Sequence, residues 1–162
     1  MKNLLIELKN MMANSGYPTE DAINKSFIDS IKNKKSDTKT PTIFELLCDE
    51  VFILISNQPD YRTFLETMDG FEYNGLRIFS LSRPEPLVKN LFVINEFYRN
   101  NEHYINPDLA NRLVIGDDSI SLFTYDPKTN LFEIRDNVGT DNIFGSFDNF
   151  SVFLNELLDT VR

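Results

Sequence analysis

Three places in this 162-residue sequence hold side chains whose types could do chemistry: His103, Cys48 and the adjacent pair Asp117-Asp118. His103 is the sole histidine, so every Ser- or Cys-based relay in this chain would have to share it. It sits in Asn100-Asn101-Glu102-His103-Tyr104, just past an expected helix end, where a surface or last-turn histidine is the simpler reading. Cys48 is the single cysteine and has no basic sequence neighbour to favour its thiolate. Asp117-Asp118 could ligate a metal or act as an acid/base pair if Asp69 or Glu72 approached it in the fold. Gly116-Asp117-Asp118 between two strand-like runs is better explained as a turn, since no metal-ligand spacing accompanies it. There is no Walker loop, dinucleotide fingerprint, zinc-cluster spacing or His-Glu-x-x-His helix. The expectation is a chain without catalytic residues, cofactor or metal.

The elements around these residues follow from apolar spacing. Leu4, Leu5, Leu8 and Met12 predict a helix over 2–12, closed by Ser15-Gly16-Tyr17-Pro18. Ile23, Phe27 and Ile31 predict a second over 19–31, followed by a lysine-rich solvated loop over 32–40. Ile43, Leu46, Leu47, Val51 and Leu54 predict a helix after Pro41, although 51–55 alone would also suit a buried strand. Tyr61, Phe64, Leu65 and Met68 predict a short helix over 60–69 with Gly70 as terminator. Asn74-Gly75 predicts a hairpin turn, and Pro84 and Pro86 introduce a helix carrying Leu87, Leu91, Ile94 and Tyr98. From Arg112 the pattern becomes β: strands over 113–115, 119–125, 131–135 and 141–145, separated by turns at 116–118 and 126–130. Phe147, Phe150, Leu154, Leu157 and Val161 predict a closing helix capped by Ser146. Helices before and after a block of antiparallel strands make an α+β fold, a twisted meander with helices packed on it.

Length and composition allow one self-supporting core: 41% hydrophobic residues, 14 Phe and only 6 Gly. The division expected is a helical extension over 1–40, packed on or tethered to a domain over 41–162. The N-terminus lacks the apolar run of a signal peptide, and no apolar run approaches the roughly 20 residues of a membrane-spanning helix. With one cysteine, a reducing cytoplasmic setting is expected, and the sequons at Asn24 and Asn149 carry no weight there. The net charge is -9, with seven Lys against five acids in residues 1–40 and nine cations against twenty acids beyond. Such a domain repels phosphate backbones and attracts basic proteins, so neither nucleic acid nor membrane is an expected partner. Tyr73, Phe79, Phe123 and Tyr125 lie on strands with apolar residues on both faces, which suggests that a partner covers one face.

Pro59-Asp60-Tyr61-Arg62-Thr63-Phe64-Leu65 with Met68-Asp69-Gly70, then Leu113-Val114-Ile115-Gly116-Asp117-Asp118, then Ser146-Phe147-Asp148-Asn149-Phe150-Ser151-Val152-Phe153-Leu154, stand in a characteristic order. Over about residues 42–160 this order resembles the SUKH superfamily, in its YrhA-like branch. Gln58 stands where a Leu is usual, and there is no Trp. The resemblance implies an α+β fold without common catalytic residues. It further implies, for bacterial members, an immunity protein that binds and neutralises a polymorphic toxin, here a basic toxin domain such as a nuclease. The alternative it implies is a regulatory or scaffold module, like the cell-wall-assembly regulator among eukaryotic relatives. The carboxylates expected to meet a basic partner are Glu72, Asp117 and Asp118, with Tyr73 as an aromatic anchor.

Overall fold

The computed structural model describes residues 1–34, 39–100 and 105–162. Among these, seven helices surround a six-stranded antiparallel meander in which each strand pairs with its chain neighbour. The helices are α1 (Lys2–Asn14), α2 (Lys25–Lys32), α3 (Ile43–Asn57), α4 (Pro59–Leu65), α5 (Leu91–Arg99), α6 (Pro107–Ala110) and α7 (Phe150–Asp159). The strands are β1 (Phe71–Tyr73), β2 (Leu76–Ile78), β3 (Leu113–Asp117), β4 (Ser121–Asp126), β5 (Leu131–Asp136) and β6 (Ile143–Phe147). The α+β meander expected from the sequence is therefore what forms. No helix among the described residues is long and apolar enough to cross a membrane.

One face of the sheet carries the main core. Phe132 stacks on Phe153 of α7 at 5.2 Å, and Phe150 meets Tyr61 of α4 edge-on at 5.0 Å. Aromatic pairs in these offset and T-shaped arrangements contribute beyond their buried area. The chain before residue 41 joins the same core: Leu5, Leu8 and Met12 of α1 are buried. The Ile23 N–H donates to Leu65 O and the Asp69 N–H to Asp21 O, each at 2.8 Å. α3 is a helix throughout, held at its start by a reciprocal Thr42–Glu45 capping box.

Five local expectations are corrected. α2 begins at Lys25 instead of 19, because the Asn24 side chain accepts the Ser26 N–H and starts the helix there. α4 ends at Leu65, before Gly70; at φ +87°, Gly70 turns the chain where an added Cβ would stand 2.8 Å from Ile78 O. α5 begins at Leu91, not after the Pro84/Pro86 pair, because Asn90 accepts from the Phe92 and Val93 N–H groups while donating to Leu81 O and Arg83 O. Leu87, expected on its apolar face, is 80% exposed. Gly116 and Asp117 are strand residues, not a turn, because β3 has a partner on each side there, Arg77↔Asp117 and Asp117↔Leu122. Finally, Ser146 and Phe147 belong to β6, and Asn149 caps α7 through the Ser151 and Val152 N–H groups.

Tyr73, Phe79, Phe123 and Tyr125 are all buried within the chain itself, so the face expected to wait for a partner is already covered. Phe123, for one, meets Phe153 of α7 edge-on at 6.0 Å. The edge of β3 is closed separately by α5, which runs along β3 where β2 stops. Asn95, fully buried, donates through Nδ2 to Val114 O and accepts the Val114 N–H at Oδ1, both at 2.8 Å. One turn later, Arg99 Nη2 donates to Arg112 O at 2.7 Å. The amide of Asn95 thus stands in for the backbone of a missing strand.

Candidate protein-binding surface

In a sequential antiparallel meander the β1–β2, β3–β4 and β5–β6 turns share one end of the sheet. At the first, Asn74 and Gly75 take φ 49° and 82°, the left-handed pair of a two-residue hairpin, and Tyr17 Oη donates to Asn74 Oδ1 at 3.3 Å. At the second, Asp118 Oδ1 accepts the N–H groups of Ile120 at 2.8 Å and Ser121 at 2.7 Å. At the third, Asp136 Oδ1 accepts the Val138 N–H at 2.8 Å. Two bonds then tie the second turn to the third. The Asn137 N–H donates to Ile120 O at 3.0 Å, and Asn137 Nδ2 donates to Ser119 O at 3.1 Å.

The result is a braced pair of turns that presents two aliphatic side chains outward, Ile120 at 65% and Val138 at 91% exposure. Asp118 and Asp136 are half-buried beside them, and Asp141 is exposed in the third turn. Asx bonds use one oxygen of each turn carboxylate and leave its charge uncompensated by any ion pair among the described residues. Exposed aliphatics ringed by fixed negative charge suit a partner surface that is basic and partly apolar.

The four residues expected to bind a partner separate in this arrangement. Asp118 belongs to the braced turns and Glu72 is exposed on β1, opposite Arg77. Asp117 is buried and doubly paired, to Arg77 Nε at 2.6 Å and Lys89 Nζ at 3.1 Å, which corrects its reading as an exposed carboxylate. Its charge, after burial itself, pushes the nearby Tyr98 hydroxyl above the ordinary tyrosine range. Tyr73 is buried under Tyr17, whose ring meets it edge-on at 5.2 Å, so it offers no free anchor. Ile120 and Val138 are not among the residues that the sequence singles out. The sequence signal available was an aliphatic residue inside a Ser/Asp or Asn/Gly turn, at Asp118-Ser119-Ile120-Ser121 and Asn137-Val138-Gly139.

Two further polar clusters are matched by neighbouring groups. Glu133 Oε2 accepts from Arg135 Nη2 at 2.7 Å and Arg112 Nε at 3.0 Å, and Arg135 Nη1 donates to Thr140 O at 2.6 Å. Asp69, fully buried, accepts from the Ser80 and Ser82 hydroxyls and from the Leu81 and Ser82 N–H groups, and so moors segment 80–82. It stands in that loop and not with the Asp117-Asp118 pair. Cys48 is buried, and that burial raises its thiol pKa. Among the described residues no group of three or more His, Cys, Asp or Glu could hold a metal. His103 lies outside the described residues.

One comparison with known proteins identifies kinship. Over 127 residues the chain is 58% identical to the uncharacterized protein YrhA of Escherichia coli (strain K12), an alignment spanning 78% of this chain and 92% of the relative. No family model and no solved structure matches.

Proposed function

The chain belongs to the family of YrhA, and on that footing we propose that it is a non-enzymatic, cytoplasmic protein that neutralises a basic toxin domain by binding it. The braced turn end carries this reading: Ile120 and Val138 stand together among Asp118, Asp136 and Asp141 on a backbone already fixed by its own hydrogen bonds. Preorganised turns lose little entropy on docking, and the surrounding carboxylates speed the approach of a basic partner. The ordered motifs at 59–70, 113–118 and 146–154 that resemble SUKH domains support the same role. So does the state of the groups that might do chemistry, since Cys48 is buried with its thiol pKa raised by that burial while Asp69, Asp117 and Glu133 are engaged by neighbouring donors.

The test is co-expression with basic toxin domains, starting with any encoded in the neighbouring genes, read as survival and as binding by titration calorimetry. Wild type restores growth; Ile120→Asp/Val138→Asp loses rescue and binding by about 100-fold or more while keeping its circular dichroism and melting behaviour. Unchanged rescue by that folded double variant moves the interface elsewhere. A wild type that neither binds nor rescues overturns the toxin reading and leaves a regulatory or scaffold module that contacts endogenous proteins.

A further inference from the structure

The outer edge of β6 is open: among the described residues, nothing pairs with the side of Ile143–Phe147 that faces away from β5. The backbone direction of Ser146 follows from β5. The Asp136 N–H donates towards β6, to Asn142 O, whereas the next N–H, from Asn137, donates towards β4, to Ile120 O, each at 3.0 Å. β5 pairs with β4 without a break from 131 to 136, so even-numbered β5 residues face β6 and odd-numbered ones face β4. Glu133 is odd-numbered and lies opposite Ser146, so Ser146 directs its own N–H and C=O outward.

Natural sheets usually blunt such an edge with Lys, Pro or an inward-pointing charge. β6 has no Lys, Pro or charge; it is Ile-Phe-Gly-Ser-Phe, with Ile143 43% and Phe144 55% exposed, and its one blunting device is a bulge near Phe144, which leaves Gly145–Phe147 in regular register. We infer that β6 pairs antiparallel with β6 of a second copy of this chain, about a twofold axis at Ser146. In that register the two Ser146 residues exchange both backbone bonds and Gly145 lies opposite Phe147, while beyond Phe147 the chain leaves the strand, with Asp148 O accepting from Gln58 Nε2 at 3.1 Å.

Charge selects a second copy over a basic segment. The strand offers a basic segment no carboxylate between Asn142 and Phe147, while the turn end offers three. For a chain of net charge -9, the uncharged β6 also lets a second acidic copy approach without opposing acids, since neither Asp141 nor Asp148 falls opposite an acid in this register. A twofold contact is self-complementary and closes at two copies. The turn ends of the two copies point in opposite directions and stay free, so this pairing does not depend on the function proposed above.

Sedimentation velocity on the full chain from low to several hundred micromolar reads the association directly. The expected result is a monomer–dimer equilibrium that tightens as salt rises, because salt screens the repulsion between acidic copies. Ser146→Pro, which removes only outward N–H groups, and Ser146→Lys, which changes only an exposed side chain, each weaken dimerisation by roughly tenfold or more. Ser146→Cys forms a disulfide-linked dimer under mild oxidation, since opposed bonded residues stand about 5.5 Å apart at Cα. Asn137→Cys, on the turn end, does not. A wild type that stays monomeric throughout, a dimer indifferent to both Ser146→Pro and Ser146→Lys, or equal cross-linking of the two cysteine variants overturns the inference.

Discussion

Part of one side of β3 and the whole outer side of β6 are left without a neighbouring strand, and the two are treated in opposite ways. Along β3, above the point where β2 stops, the free backbone groups are met by side chains of α5: Asn95 on Val114 and Arg99 on Arg112. Along β6 the outward groups of Ser146 meet nothing among the described residues. The first solution works because two periods nearly agree. Four helical residues advance about 6 Å and two strand residues about 6.6 to 6.8 Å, so a helix running antiparallel to a strand reaches every second strand residue with every fourth of its own. The edge that lies in the interior is sealed by specific polar groups because no water reaches it, whereas the edge at the surface is free to find water or a second strand.

This contrast can be broken most directly at Asn95. Asn95→Ala leaves the Val114 N–H and C=O buried without partners, and chemical denaturation is expected to show a loss on the order of 2–5 kcal/mol. A loss under about 0.5 kcal/mol would mean that α5 merely lies beside β3. Arg99→Met is the next largest. It removes the bond to Arg112 O and the 2.6 Å pair with Glu50, and about 1–3 kcal/mol should go with it. Measured on the dilute monomer, Ser146→Pro should cost less than about 1 kcal/mol, because no N–H inside the sheet is lost. Rapid amide exchange at Ser146 in the wild-type monomer, against slow exchange at Val114, would sharpen the same distinction without any substitution.

Tyr61 supplies the smallest effect and a control on the reasoning. Its hydroxyl is buried with no hydrogen-bond partner among the described residues, so Tyr61→Phe should leave stability at neutral pH unchanged or raise it by up to about 1 kcal/mol. Burial, and secondarily the charge of Asp69, hold its pKa far above the ordinary tyrosine value. The unfolded chain therefore loses this proton near pH 10 while the folded chain keeps it, so folding weakens as pH rises beyond about 10. Removing the hydroxyl should flatten that alkaline decline in a series of denaturation curves.

Much of the fold was legible because its signals are local. Tyr61, Phe64 and Leu65 announce α4, Asn74-Gly75 announces the hairpin, and the β-rich runs after Arg112 announce the meander. Boundaries that depend on contacts across the chain were not legible. Nothing around Gly116-Asp117 tells a turn from a strand until Arg77 is placed opposite Asp117, and nothing around Pro84 and Pro86 shows that Asn90 moors segment 80–90 and starts α5 later. The candidate site divides along the same line. The place of Asp118 in a turn is legible because turn chemistry is written in neighbouring residues. The burial of Tyr73 is not legible locally because its cover, Tyr17, is distant in sequence, and the exposure of Ile120 and Val138 is not legible because aliphatic residues beside strands look like strand.

The order of the strands also governs how quickly the sheet can assemble. β3 to β6 are joined by short turns, but β2 reaches β3 only across segment 79–112, which contains α5. Closing that excursion costs about 2 kcal/mol more in chain entropy than closing the 118–120 turn, by the logarithmic dependence on loop length. Local pairings of low sequence separation form early, so the β3–β6 meander is expected to nucleate folding and the β1–β2 hairpin to join it late. On this account α5, whose Asn95 occupies the strip of β3 that β2 leaves vacant, docks together with that hairpin. Substitutions at Asn95 should then accelerate unfolding far more than they slow folding, whereas substitutions between β4 and β5 should slow folding itself.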